Sequence, residues 1–198
     1  MPGTDRAPVR VRLMHDDETE VVVDLVLAAY AGDFELADGY RADITAVAER
    51  AARHEVWVAV DAVDGTLLGT VSTPRAGGTM SPVARGGELD FRFLGVAHAA
   101  RRRGIGEILV EHVVALARQR GLGRVVLNTG PDMVAAHRLY ERLGFVRLHE
   151  REYRFERADG SGFLMMGYGR DVTDEDRGDG ASEPTAPGAA LSAASCAR

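Results

Sequence analysis

The fold is decided by the stretch Leu94-Gly-Val-Ala-His-Ala-Ala-Arg-Arg-Arg-Gly-Ile-Gly106. This stretch closes an apolar run typical of a strand, and an amphipathic helix follows it, because Ile105, Leu109 and Val113 recur at helical spacing. The first N–H groups of a helix have no internal partner and carry partial positive charge, so a glycine-containing turn at this place can cradle a phosphate group. An ordinary strand-to-helix turn with a solvated basic cluster is the alternative interpretation of these residues taken alone.

A second stretch further along the chain has the pattern of a shorter helix. It reads Ala136-His-Arg-Leu-Tyr-Glu-Arg-Leu-Gly-Phe145. Its apolar spacing directs Leu139, Tyr140 and Leu143 inward. Gly144 stands where helices commonly end in a left-handed residue.

Together the two stretches resemble the GNAT family of N-acetyltransferases. The first is similar to that family's acetyl-CoA motif, Q/R-x-x-G-x-G/A, which follows the L-x-V end of the fourth strand. The second is similar to the family's A-x-x-L-Y-x-x-x-G-F helix signature. The resemblance implies an α/β fold of the GNAT acyl-CoA N-acyltransferase type, in which a mixed, central, splayed sheet is flanked by helices.

The resemblance also implies which residues bind acetyl-CoA, the expected co-substrate. Val96 would offer backbone hydrogen bonds to pantetheine and to the thioester oxygen, where the fourth and fifth strands splay apart. The main chain of residues 102–106 would bind the pyrophosphate. Met133 stands where the family carries an Asn that contacts pantetheine, so only an apolar contact is expected there. The predicted cofactor-binding residues are Leu94, Val96, Arg101, Arg102, Arg103, Gly104, Ile105, Gly106 and Met133.

Three residues are candidates for catalysis. By resemblance, Tyr140 stands at the thioester sulfur, where a phenol with a pKa of about 10 can protonate the leaving thiolate as a general acid. The alternative for Tyr140 is a core aromatic on an inner helix face. Glu88 and Asp90 are candidate general bases, because they alternate with Arg92 along a predicted strand and so share one face of it. The alternative is that Asp90 and Arg92 pair on a solvated face.

The acceptor site is expected, by resemblance, in the loop between the first two helices and in the connection between the last two strands. Acidic and aromatic side chains in that loop would suit a cationic amine through Coulomb and cation–π attraction. Loops are commonly polar, so the composition of the loop leaves this assignment open. The side chains concerned are those of Tyr30, Asp33, Phe34, Glu35, Asp38 and Tyr40.

The composition excludes several classes of protein. All 24 basic residues are Arg, so a Walker P-loop, a Schiff-base enzyme and a pyridoxal-phosphate enzyme, which each need a lysine, are excluded. Residues 171–198 contribute −4 of the net charge of −6, and the remaining body is too weakly charged to predict a nucleic-acid partner. The lone Cys196 forms neither an internal disulfide nor a zinc site, and no metal is expected.

The chain is expected to form one domain with loose ends. Residues 1–8 would be a flexible leader, residues 9–169 the acetyltransferase domain, and residues 170–198 a disordered acidic tail rich in Ala, Ser, Pro and Gly. The sequence has no N-terminal apolar region and no apolar run of about 18 residues, so we expect a cytoplasmic protein without a membrane partner. A homodimer is left open. The predicted strands are residues 9–13, 56–60, 67–72, 89–96, 124–127, 145–148 and 163–168, and the second helix runs over residues 40–53.

The sequence thus predicts an N-acetyltransferase that moves acetyl from acetyl-CoA to a primary amine by direct attack. The amine belongs to a small molecule or to a peptide N-terminus. No covalent intermediate is expected, since Cys196 lies in the tail. The alternative is a degenerate family member that binds acyl-CoA without catalysis, as a sensor or interaction module, and Met133 favours that alternative.

Overall fold

The structure is a computed structural model, and it describes residues 8–31, 38–156 and 160–172. It contains nine strands and five helices in these ranges. The strands are β1 (Val9–Leu13), β2 (His54–Asp61), β3 (Leu67–Pro74), β4 (Glu88–Asp90), β5 (Arg92–Val96), β6 (Arg124–Thr129), β7 (Val146–Arg147), β8 (Tyr153–Glu156) and β9 (Gly162–Asp171). The helices are α1 (Thr19–Ala31), α2 (Asp38–Thr45), α3 (Val47–Arg53), α4 (Ile105–Gln119) and α5 (Val134–Arg142).

The described strands form two sheets, which separate between β5 and β6. The first sheet is antiparallel and has the order β1-β2-β3-β5. The second has the order β4-β6-β9-β7, with β8 paired to β9, and of its described strand pairs only β4 and β6 run parallel. Among the described residues, β5 pairs with β3 alone, so its other edge faces a gap toward β6. The predicted mixed, splayed sheet is therefore confirmed.

The single strand predicted over residues 89–96 is wrong in one respect, because it divides between the two sheets. β4 pairs with β6 as far as Asp90, whereas β5 pairs with β3. Phe93 has a left-handed φ of +57°, and the β3–β5 register shifts between Thr70 and Ser72, as a bulge requires. Asp90 and Arg92 consequently belong to different strands, and the predicted regular alternation across them does not exist.

Helices α1 and α4 pack against different sets of side chains from the same strand. Along β2, Val56, Val58 and Val60 join the cluster that contains α1, whereas Trp57 and Ala59 pack with α4. This follows from the two-residue period of a strand. The predicted apolar stripe of α4 is confirmed as buried, and its members are Ile105, Leu109, Val113 and Leu116.

Other boundaries differ from the sequence predictions. The helix predicted over residues 40–53 is broken at Ala46 into α2 and α3, and β8 was not predicted at all. Strand β9 continues to Asp171, which forms an ion pair with Arg124, so the fold extends beyond the predicted end at Gly169. The predicted leader up to residue 7, the tail from residue 173 and the loop residues Asp33, Phe34 and Glu35 lie outside the described residues. In the described part of the chain, no helix combines the length and the apolar character needed to cross a bilayer.

Candidate active site

The turn between β5 and α4 is fixed to the end of α1. His98 bonds through Nε2 to the carbonyl of Ala28 at 2.8 Å, and Arg101 donates from Nη2 to the carbonyl of Ala29 at 3.0 Å. Carbonyl groups in the last turn of a helix attract such donors, because they have no partner inside the helix. The side chain of Arg101, a predicted acetyl-CoA ligand, thus supports the turn from behind.

The first residues of α4 present a row of free N–H groups. Gly104 is the N-cap, with a φ of +82°, and the first bond into the helix runs from the N–H of Ile108 to the carbonyl of Gly104 at 3.0 Å. Among the described residues, no acceptor meets the N–H groups of residues 104–107. The N–H of Arg103 is already bonded to the carbonyl of Ala100 at 3.3 Å. The row is therefore suited to bind an anion at the helix N-terminus.

Gly106 also meets a packing requirement that the sequence did not indicate. A Cβ atom at this position would lie 3.1 Å from Cδ2 of Leu139 and 3.7 Å from Cγ2 of Val96. The glycine therefore allows α4 to pack closely against α5 and the end of β5. The expected binding of the pyrophosphate by the main chain of this residue stays a prediction.

The three consecutive arginines differ in their surroundings. Arg103 lies 3.5 Å from Oδ2 of Asp61, and Arg101 is held against α1. Arg102 is exposed, has a φ of +63°, and makes no side-chain hydrogen bond or ion pair with a described residue. Of the predicted arginine ligands, Arg102 is thus the one whose side chain is available to a phosphate.

Tyr140 lies at the inner face of α5 in an aromatic cluster. Its ring centroid is 6.0 Å from that of Phe91, 5.9 Å from Phe145 and 6.2 Å from Tyr168. Burial raises the pKa of Tyr140, and the nearby Tyr40 raises it further. The phenol therefore stays protonated at neutral pH, and no described residue accepts a hydrogen bond from it.

Tyr30 and Tyr40, which the sequence assigned to an acceptor loop, lie close to one another near Tyr140. Their ring centroids are 6.0 Å apart, and the Tyr30 hydroxyl donates to the Leu94 carbonyl at 3.2 Å. Burial raises the pKa of both phenols. The structure thus brings aromatic hydroxyls from α1, α2 and α5 together beside β5, although they are remote in sequence.

Glu88 is not available as a general base. Its carboxylate accepts from Arg151 at 2.6 Å and 2.9 Å, and only 9% of the Glu88 side chain and 6% of the Arg151 side chain is exposed. Although burial alone would raise the pKa of Glu88, the bonds from Arg151 lower it. The prediction that Glu88 is a base is corrected to a buried structural ion pair.

Asp90 is fully buried at the end of β4. Its Oδ2 accepts from the N–H of Met80 at 2.8 Å, and its Oδ1 has no partner among the described residues. Burial raises the pKa of this carboxyl. Asp90 makes no ion pair with Arg92, so the alternative of a solvated pair is wrong, and a role for Asp90 as a base stays a prediction. Within the described ranges, no three His, Cys, Asp or Glu side chains are placed to bind a metal.

Met133 precedes α5 and makes apolar contacts within the fold, whereas its expected contact with pantetheine stays a prediction. It packs with the cluster of α1 and Phe93, and the Thr129 hydroxyl lies 3.4 Å from its sulfur. The loop before α5 is fixed instead by His137, whose Nε2 lies 2.9 Å from the carbonyl of Gly130.

The sequence analysis missed Arg50 and gave Arg92 no place beside the phenols. Arg50 is buried, and its Cζ lies 4.1 Å from the centroid of Phe93; Cζ of Arg92 lies 4.6 Å from the same ring. Burial lowers the pKa of Arg50 to about 10. A signal was present for Arg50, because it continues the helical spacing of Ile44 and Val47 on the inner face of its segment.

Comparison with known proteins agrees with this geometry. Residues 21–145, more than half of the chain, match the acetyltransferase (GNAT) family. A Xenopus tropicalis protein named probable N-acetyltransferase camello is 38% identical over 89 residues, which cover 45% of this chain and 37% of that protein. Mycothiol acetyltransferase from Rhodococcus erythropolis is 45% identical over 56 residues, or 28% of this chain and 19% of that enzyme. The chain thus matches less than two-fifths of the length of these relatives.

The fold is also similar to solved structures. A Bacillus subtilis acetyltransferase in complex with CoA superposes with a TM-score of 0.59 at 19% identity, covering 84% of this chain and all of that one. At this identity the likeness concerns the fold, and it confirms the predicted fold class. With the family match over residues 21–145 and the free N–H row at the start of α4, the chain belongs to the acetyltransferase (GNAT) family.

Proposed function

We propose that this protein transfers an acetyl group from acetyl-CoA to a primary amine by direct attack. The observation that carries the proposal is the row of unpartnered N–H groups at residues 104–107, which lies at the end of the gap between β5 and β6. A pyrophosphate fits that row by charge and by hydrogen bonding. The edge of β5 that faces β6 has no strand partner among the described residues, so it suits the amide groups of pantetheine.

The chain's residues then stabilise the charges that develop during the transfer. As the amine nitrogen bonds to the thioester carbon, negative charge collects on the carbonyl oxygen, and a backbone N–H at Val96 would stabilise it. The C–S bond breaks next, and the sulfur leaves as a thiolate. Tyr140 would donate its proton to that sulfur. The phenol is protonated when the reaction begins, and burial, which raises the pKa of Tyr140, makes it a weaker acid toward the departing thiolate than a solvated phenol would be.

The acceptor must lose a proton before it attacks, and we propose that it loses this proton to water. Glu88 is tied to Arg151, and the Asp90 side chain is fully buried. We therefore expect kcat/KM to rise with pH up to the pKa of the acceptor's own amine. The measurement is a pH profile with two acceptors whose amine pKa values differ. A midpoint that is the same for both acceptors would instead indicate an enzymic base such as Asp90.

The substitution Gly104→Asp tests the phosphate site. We expect the affinity for acetyl-CoA to fall at least tenfold, about 1.4 kcal/mol, because a carboxylate would face the pyrophosphate. Aspartate is among the residues that best tolerate the left-handed φ of +82° found here, so the fold should survive. The measurement is isothermal calorimetry with acetyl-CoA.

Gly121→Asp is the matched control for this variant. Gly121 follows the other end of α4 and has a φ of +68°, so the control carries a similar backbone strain and the same added charge. Its affinity for acetyl-CoA should equal that of the wild type. Equal affinity in both variants would show that the anion binds elsewhere.

The function as a whole is tested by release of CoA thiol against a panel of amines. The panel contains polyamines, aminoglycosides, amino acids and short peptides, with acetyl-CoA as the donor. Release with one class supports the transferase. Tight binding of acetyl-CoA without release by any member would favour the non-catalytic sensor. A cytoplasmic location and a homodimer stay predictions from the sequence.

A further inference from the structure

Two guanidinium groups, those of Arg50 and Arg92, approach one aromatic ring beside the phenols. They lie 4.1 Å and 4.6 Å from the centroid of Phe93. Arg50 donates to the carbonyl groups of Asp43 and Ile44, at 2.9 Å and 3.2 Å, and is thereby fixed between α2 and α3. Arg92 has no such partner among the described residues.

Other partly buried arginines of the fold have a carboxylate partner, which Arg92 lacks among the described residues. Arg12, Arg120 and Arg151 each contact a glutamate oxygen at 2.6 Å. Arg92 is half-buried and makes neither an ion pair nor a side-chain hydrogen bond with a described residue. A guanidinium withdrawn from water without a carboxylate costs free energy, and a cation–π contact offsets only part of that cost.

The position of Arg92 relates it to the proposed acid. Phe93, which both guanidinium groups contact, packs in one cluster with Tyr30, Tyr40 and Met133. Burial raises the pKa of Tyr40, and the charge of Arg92 lowers it. Tyr40 in turn raises the pKa of Tyr140. Burial raises the pKa of Tyr153 on β8, and the charge of Arg92 lowers it. Asp43 has an exposed side chain, and its carboxylate raises the pKa of both Arg50 and Tyr40.

We propose that Arg92 binds a carboxylate carried by the acceptor, so that the acceptor is a small amine of the amino-acid class. The inference rests on the proposed acetyl transfer and specifies its second substrate. A carboxylate can accept two parallel bonds from a guanidinium, which fixes the orientation of the amine that it carries.

The charge of Arg92 also serves the attack itself. A positive group close to an ammonium disfavours the protonated form, so it raises the fraction of free amine. An acceptor with a second ammonium in place of the carboxylate would meet repulsion from both Arg92 and Arg50. The site thus selects a carboxylate-bearing amine over a diamine.

The test compares matched pairs of acceptors on the wild type and on variants. Each pair is an amino acid and its amide, such as phenylalanine with phenylalaninamide and glycine with glycinamide. Values of kcat/KM are expressed per free amine, because an amide lowers the pKa of the neighbouring amine. The variants are Arg92→Gln, Arg92→Lys, which keeps the charge and the stem over Phe93, and Arg10→Gln, an exposed control on β1.

We expect the wild type to prefer the acid over the amide by at least tenfold. In Arg92→Gln this preference should fall by roughly 10- to 100-fold, mainly through KM, as expected for the loss of a charge-assisted contact. Arg92→Lys should keep part of the preference, and Arg10→Gln should keep all of it. Equal losses for acid and amide in Arg92→Gln would assign Arg92 to structure and overturn the inference. Efficient acetylation of amides or diamines by the wild type would overturn the inference while leaving the transferase intact, whereas no CoA release with any amine would overturn both.

Discussion

Replacement of Tyr140 by Phe should lower kcat by roughly 10- to 10³-fold and leave the affinity for acetyl-CoA nearly constant. In the proposed mechanism the hydroxyl is used only when the sulfur departs, so its removal should act on the transition state. The ring remains, and its packing against Phe91 and Phe145 should hold. A CoA thiolate is already a fair leaving group, and water can supply part of the proton donation. For this reason the lower limit of the expected decrease in kcat is only about tenfold.

The measurement is steady-state turnover with the best amine found, together with equilibrium binding of acetyl-CoA. Tyr168→Phe is the matched control, because its ring lies 6.2 Å from that of Tyr140 and its hydroxyl is directed to Glu141 at 3.4 Å. Turnover in this control should match the wild type. Full activity in Tyr140→Phe would reduce Tyr140 to a core aromatic.

Replacement of Arg151 by Met should destabilise the fold by about 3–5 kcal/mol, since it leaves the Glu88 carboxylate buried without its partner. The pair lies almost out of solvent, and Arg151 also donates to the Val83 carbonyl at 3.1 Å. The double variant Glu88→Leu with Arg151→Met should recover most of the loss, because no charge then remains buried. Urea unfolding of the single and the double variant gives the free energies of unfolding that test both expectations. A single variant within about 1 kcal/mol of the wild type would show that the pair is solvated.

The same pair gives a pH dependence of stability with a definite sign. The pKa of Glu88 is lower in the folded protein than its ordinary value of about 4.3. Its contribution is therefore fully present above that ordinary value and is lost as the pH falls through the lowered one. The stability difference between wild type and Arg151→Met should accordingly shrink in acid.

The sequence predicted the elements whose signal is local. The stripe of α4 has a clear helical period, and the end of α5 at Gly144 shows the left-handed φ expected there. The turn before α4 could be predicted because its glycines and the following helix are contiguous in the chain.

What the sequence missed depends on contacts between distant segments. The division of residues 89–96 follows from the register of β3 and from the left-handed Phe93, and neither is encoded in a two-residue apolar pattern. The pairing of Glu88 with Arg151 joins residues 63 positions apart. For the same reason Arg92 was matched with the nearby Asp90, although the break between the strands separates them.

The last turn of α1 is bonded to both halves of the site. The carbonyl groups of Ala28 and Ala29 hold the turn before α4, while Tyr30 holds the Leu94 carbonyl on β5. We therefore expect a ligand bound at the start of α4 to restrict Tyr30 as well. An acceptor that arrives second would find its half of the site already ordered and would pay less conformational entropy on binding. This favours an ordered kinetic sequence in which acetyl-CoA binds before the amine.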